Sequence, residues 1–293
     1  MTFNAKFSLK ALSLAALLLP SLASAIELPL FKKEAEERGY TLPEAFGLSL
    51  GYMNVSQGIN VNSIALTGLP SQVQNLEIGT QGGYQESEVL TLKADVWVLP
   101  FLNFYAIGGK LNGYSETTIT SVKGELDLLP PLPAIPIEVD NLNEPFRLDL
   151  DGYTYGIGTV IAGGYESFFA LVDASYTKTS LTVIDGEIDS IVVSPRIGWD
   201  FSRNSDWPIR AWVGAQYQNI EQTLTGNVKD LPLGSIGALP MLDDAKFTVT
   251  QSLANNWNSL VGAQYEFTPN WVLISELGFG QRKSFFVTLD ARF

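Results

Sequence analysis

The chain contains no cysteine and no histidine. Without cysteine no disulfide can form, so an exported domain must be stable without covalent staples. No lipid-acceptor residue exists either, which excludes a lipoprotein. Without histidine, the side chain that titrates closest to neutrality and most often serves as a catalytic base is missing. A third absence is any long apolar run after Ala25. A transmembrane helix needs about 20 such residues, so none is expected. Yet 46% of the chain is hydrophobic, and those residues must be dispersed. Dispersal at alternate positions is how a closed, lipid-facing barrel is encoded, because only closure satisfies every strand backbone in lipid.

What is present begins with residues 1–25, which have the pattern of a signal peptide. Lys6 and Lys10 form a positive start, Ala11 to Leu19 a short apolar core, and Ala23-Ser24-Ala25 a small-x-small cleavage site. The exported chain would then comprise a periplasmic N-terminal segment, residues 26–44, and a β-barrel, residues 45–293. Removing Lys6 and Lys10 leaves 16 basic against 31 acidic residues, a net charge of −15. So acidic a protein is a poor partner for nucleic acid. Among anionic lipopolysaccharides it would need bridging divalent cations. Phe31 to Gly39 is charged and helix-prone, and either caps the barrel as a short helix or stays a solvated leader.

The last ten residues, Ser284 to Phe293, alternate with a period of two. Phe285, Val287, Leu289, Ala291 and Phe293 share one face, with Thr288, Asp290 and Arg292 on the other. The same period recurs backwards through Trp271–Phe279, Trp257–Phe267, Ile209–Tyr217, Ile191–Phe201, Phe168–Tyr176, Tyr153–Ile161, Tyr105–Leu111, Leu90–Val98 and Phe46–Tyr52. The expected fold is therefore all-β: a single up-and-down antiparallel transmembrane β-barrel of about ten strands. Twelve would result if Ile59 to Gly83 folded back into the wall. Short connections near Pro100, Gly163, Ser202 to Trp207 and Pro269 belong at the periplasmic end. Long ones at Val55–Glu88, Tyr114–Arg147 and Thr223–Phe247 belong outside.

An alternating C-terminal strand that ends in phenylalanine resembles the terminal strand of Gram-negative outer-membrane β-barrel proteins. The resemblance implies location in the outer membrane, contact with its lipid and lipopolysaccharide, and recognition of Phe285, Val287, Leu289, Ala291 and Phe293 by the barrel-assembly machinery. Barrel enzymes of that membrane, such as omptin proteases, lipid A deacylases and phospholipases, use a histidine base. This chain has none, so catalysis is not expected, and no cofactor is implied.

Carrying the parity of the last strand backwards places Lys93, Asp95, Lys110, Asp173, Arg196, Asp200, Arg210, Glu266, Glu276, Asp290 and Arg292 in the lumen. Pairs within one strand, such as Arg196/Asp200, suggest internal ion pairing. Two readings stand open. One is a network that neutralises a narrow interior, and the other is a small hydrated pore whose charges tune selectivity. Ten strands lie just above the eight whose side chains can fill the inside. The function expected is a narrow passive channel for small solutes; the alternative is a structural or surface-interaction barrel with a closed lumen.

Leu126–Ile137 and Leu231–Leu242 are apolar and proline-rich, and form either a lid or an apolar contact surface for a hydrophobic ligand or partner. The acidic groups Asp149/Asp151, Asp185/Glu187/Asp189 and Asp243/Asp244 match no complete calcium-loop pattern. The glycines Gly108-Gly109 and Gly156/Gly158 lie within strands without a following helix, so they are no nucleotide fingerprint.

Overall fold

The computed structural model describes residues 28–127, 133–228 and 244–293. Residues 1–25, residues 128–132 of the Leu126–Ile137 stretch, the whole of Leu231–Leu242 and Asp243 lie outside these residues. One short helix, α1 (Lys32–Glu37), precedes twelve strands. They are β1 (Phe46–Thr67), β2 (Val73–Leu99), β3 (Leu102–Leu126), β4 (Ile135–Asp149), β5 (Gly152–Tyr165), β6 (Phe168–Leu181), β7 (Asp185–Asp200), β8 (Ile209–Asn227), β9 (Lys246–Leu253), β10 (Trp257–Thr268), β11 (Trp271–Phe279) and β12 (Arg282–Arg292). No helix among the described residues is long and apolar enough to cross a membrane.

Ten of the strands close into a ring. Antiparallel pairing runs β10-β11-β12-β1-β2-β3-β5-β6-β7-β8, and β8 returns to β10. The remaining two continue ring strands upward. β4 from Glu144 onward and β5 keep one register along β3, with Tyr114 facing Asp149 and Leu111 facing Gly152, interrupted at Leu150-Asp151. β9 and β10 both run along β8, opposite Glu221 and Tyr217 at their junction. Twelve elements thus make a ten-stranded ring. Ile59 to Gly83 adds no strand to the wall, because it only lengthens β1 and β2, which part above Gly58–Tyr84 to pair with β9 and β3.

The outer face of the ring explains its composition. Leu50, Leu92, Ile157, Val213 and Leu277 all point outward and are more than half exposed. Aromatics flank them: Phe101, Tyr165, Trp207, Phe267 and Phe293 at the short-turn end, and Tyr153, Tyr176, Trp257 and Phe279 at the other. Trp257 to Phe267 is ten steps of about 3.3 Å; at a tilt of about 40° they span about 25 Å, the height of a lipid-facing band between aromatic girdles. In water this surface would be an aggregation site. In a bilayer it is solvated.

Above the upper girdle the character changes. β11 and β12 end at a tight turn, so β1 passes beyond them and pairs directly with β9, Ile59 opposite Leu253. β4, β3, β2, β1, β9 and β8 continue as a tall extension. Here the apolar residues turn inward. Ile119, Phe146, Leu148, Leu150, Leu224, Phe247 and Val249 pack into one buried cluster, with Phe146 set edge-on to Phe247 at 5.9 Å. Where they are described, the segments expected to be long loops are mostly strands around a core of their own.

Candidate functional site

Beneath that apolar core, the ring encloses a cavity of about 1290 Å³. It extends from the short-turn end, where Glu34 and Ala35 of α1 and the following Tyr40 and Leu42 line the mouth. Leu30 tethers this segment by donating its backbone N–H to the Val98 carbonyl at 2.9 Å. The residues inside form three polar levels with apolar wall between them.

The level nearest the mouth is held by Arg292 and Arg210. Arg292 Nη1 lies 2.7 Å from Asp95 Oδ1 and its Nη2 3.7 Å from Asp290. Asn103 also donates to Asp95 at 2.7 Å. Gly47 permits this arrangement, since a Cβ there would sit 2.2 Å from Asp95 Oδ2. Arg210 pairs with Asp200 at 2.8 Å, and the same carboxylate accepts the Ser202 N–H at 3.0 Å, stopping β7 in a single 3-10 turn, Phe201–Arg203.

The middle level crosses the lumen. Arg196 on β7 donates from Nε and Nη2 to the two oxygens of Glu276 on β11, at 2.5 and 2.9 Å. Two ring strands, β8 and β10, separate them along the wall, so the pair spans a chord of the interior. Trp212 Nε1 donates to Glu276 at 2.7 Å. Asp173 lies 3.9 Å from Arg196 and accepts the Tyr105 hydroxyl at 2.7 Å, while Lys93 stands over the Tyr105 ring at 5.5 Å. The charged hydrogen bonds in this group are of the strong, bidentate kind.

The third level lies just under the apolar core and is mostly neutral. Gln57, Gln85, Gln222 and Gln251 are all buried there, with Gln57 opposite Gln85 and Gln222 opposite Gln251 in the sheet. Gln222 donates to Gln85 at 2.9 Å, joining the two sides of the lumen. Arg282 lies beside Gln57 at the same level.

Of the residues expected in the lumen, Lys93, Asp173, Arg196, Asp200, Arg210, Glu266, Glu276, Asp290 and Arg292 line the cavity. Asp95 also points inward but is covered by Arg292. Lys110 is a correction. It is exposed on the outer face, paired in register with Leu90 and Tyr153, which also face out. β3 therefore turns Tyr105, Ile107 and Leu111 inward. The Gly108-Gly109 pair removes side chains from both faces at that point, so size alternation there says nothing about direction. The pairing of Arg196 with Asp200 is a second correction. Four residues along a strand are about 13 Å apart, and each finds its partner on another strand.

Arg282 and the glutamine level were not anticipated. The signal was available for Arg282, which is two residues before Ser284 and shares the inward parity of the terminal strand. The outward residues Phe285, Val287, Leu289, Ala291 and Phe293 lie on the bilayer face of β12. Among the acidic groups, Glu187 pairs with Lys178 at 2.6 Å and Asp189 accepts from Tyr176 at 2.6 Å, so these are partnered side chains of the outer rim.

No family model matches the chain, and no curated protein matches it. Among solved structures it is similar to the outer membrane protein OprG from Pseudomonas aeruginosa, at 8% identity and a TM-score of 0.42, over 86% of this chain and 98% of that one. It is also similar to an outer membrane channel from Pseudomonas putida F1, at 10% identity and a TM-score of 0.37, over 86% and 97% of the two chains. A third is the β domain of the Bordetella autotransporter BrkA, at 8% identity and a TM-score of 0.36, over 85% and 100%.

Proposed function

We propose that this barrel resides in a Gram-negative outer membrane and passes small solutes passively, without catalysis. The observation that carries the reading is the interior itself. A cavity of about 1290 Å³ runs up from the short-turn mouth, far more space than a lumen kept only to be filled would leave. The ion-paired charges of its lower and middle levels are held against the wall or across a chord by their partners, so the free volume is left for a solute and water. Between them lie apolar surfaces such as Val192, Ile274 and Phe286, which suits solutes of mixed character. The outer end is sealed by the apolar cluster, so a solute passes only when that cluster parts. A low, intermittent conductance is expected, well below that of an open porin.

Membrane lipid, lipopolysaccharide bridged by divalent cations, and the barrel-assembly machinery acting on the terminal strand complete the proposed partners. The test is uptake of small radiolabelled solutes into liposomes carrying the refolded full chain, together with planar-bilayer recording. Flux above that of protein-free liposomes supports transport. One observation favours a second reading: the sealed outer extension also suits a surface-interaction barrel. A correctly folded, heat-modifiable barrel with neither flux nor conductance would leave that reading standing and end the first.

A further inference from the structure

Three arginines of the cavity have acids. Arg196, Arg210 and Arg292 lie 2.5, 2.8 and 2.7 Å from Glu276, Asp200 and Asp95. Arg282 does not, among the described residues. It is only 2% exposed and lines the closed end of the cavity. Nη1 donates to Gln216 at 2.8 Å, while Nε and Nη2 have no hydrogen-bond partner. The polar side chains around it, Gln57, Gln216, Asn258 and Ser284, are all neutral. A buried guanidinium without a counter-ion is costly, and an orphaned donor in a native interior calls for an explanation.

We propose that the closed end of the cavity is a carboxylate site, in which Arg282 takes the anionic head of a small apolar monocarboxylate. The site supplies one unbalanced positive charge, which a single carboxylate neutralises and a doubly charged phosphate would overshoot. Below it, Val55, Val89 and Leu260 line the wall and give an aliphatic or aromatic tail an apolar bed. The guanidinium fork matches a carboxylate with two parallel hydrogen bonds, the number of groups now unpartnered. A small void of about 20 Å³ beside Arg282, bordered by Gly58, Ala254 and Gln281, leaves room for the side chain to turn toward a ligand. This inference deepens the transport reading by naming a solute class, and rests on that reading for its physiological sense.

The experiment is calorimetric titration of the detergent-solubilised full chain with octanoate, octanol and inorganic phosphate. Octanoate should bind saturably and one to one, octanol at least about tenfold more weakly, and phosphate not measurably. Arg282→Gln should weaken octanoate by on the order of tenfold or more while leaving octanol unchanged. Ser284→Asp, which places an acid two residues away on the same inward face, should also weaken octanoate while keeping the arginine. That second variant decides the matter if Arg282→Gln fails to fold. Absence of saturable octanoate binding, equal binding of octanol, or octanoate binding untouched in a folded variant overturns the site. Tighter binding of phosphate than of octanoate overturns it too. Binding needs no transport, so octanoate bound without liposome flux defeats the transport reading alone, and flux without octanoate binding defeats this one alone.

Discussion

Glu276 accepts two hydrogen bonds from Arg196 and one from Trp212, which makes it the hub of the chord across the lumen. Glu276→Ala would strip all three and leave Arg196 with Asp173 at 3.9 Å and the Ser194 carbonyl at 3.5 Å. Losing one partner of a buried pair costs about 3–5 kcal/mol, and water in the cavity lowers this toward the about 1.5–3 kcal/mol of a charged hydrogen bond. We expect a loss of about 2 kcal/mol in urea unfolding from lipid vesicles, and stability equal to wild type would remove the chord from the forces holding the ring. Gly262 faces Trp212 across the β10–β8 ladder, and a Cβ there would lie 2.5 Å from the indole nitrogen. Gly262→Val should therefore turn the indole away from Glu276 and shift the tryptophan emission, an effect absent when Trp212 is already phenylalanine. Most lumen charges are legible in the sequence because parity along a strand is strict once one face is known. Lys110 is misplaced where two glycines hide the parity, and Arg282 escapes when the alternation is traced only from Ser284. The partners of Arg196 and Asp200 are not legible, since they depend on which strands face each other across the ring.

At the scale of the elements, the ring strands are readable and the outer extension is not. The ring keeps an unbroken register, and with it a period of two, from Trp257 to Tyr265 and from Arg282 to Arg292. The extension carries register shifts at Val61/Ser63, Gln74/Glu77, Gly79/Thr80, Gln81/Gly83 and Ile119/Ser121. Each one-residue bulge swaps the faces of the residues beyond it, so a period-two search sees only broken fragments and takes strands for loops. The extension also has the opposite solvent logic, with apolar residues inside and polar ones out, which cancels the lipid-facing signature. Its stability is then that of a small soluble core. Phe247 is 1% exposed at the centre of that core, and Phe247→Ala should cost about 3–5 kcal/mol. Because Phe247 lies on β9, outside the ring, the loss should fall on the extension. Proteolysis from outside should then cut β8–β9 or β3–β4 sooner, while the ring keeps its heat-modifiable gel migration. Simultaneous melting of ring and extension would mean that the two are one cooperative unit.

For the whole molecule, the two ends of the cavity resist passage differently. At the mouth, α1 has no buried residue and the segment around it is tethered by few bonds, Leu30 to Val98 among them. At the outer end, the apolar core must part. Barriers in series add, so relieving the smaller one alone changes the total little. Deleting residues 28–42 should therefore leave solute flux into liposomes nearly unchanged, whereas Phe247→Ala should raise it clearly. Combining the two should give a further rise not seen for the deletion alone, because the mouth becomes limiting only when the outer seal is weak. Should the deletion by itself produce the larger increase, the gate would lie at the mouth, and the apolar extension would have to be explained as a contact surface instead.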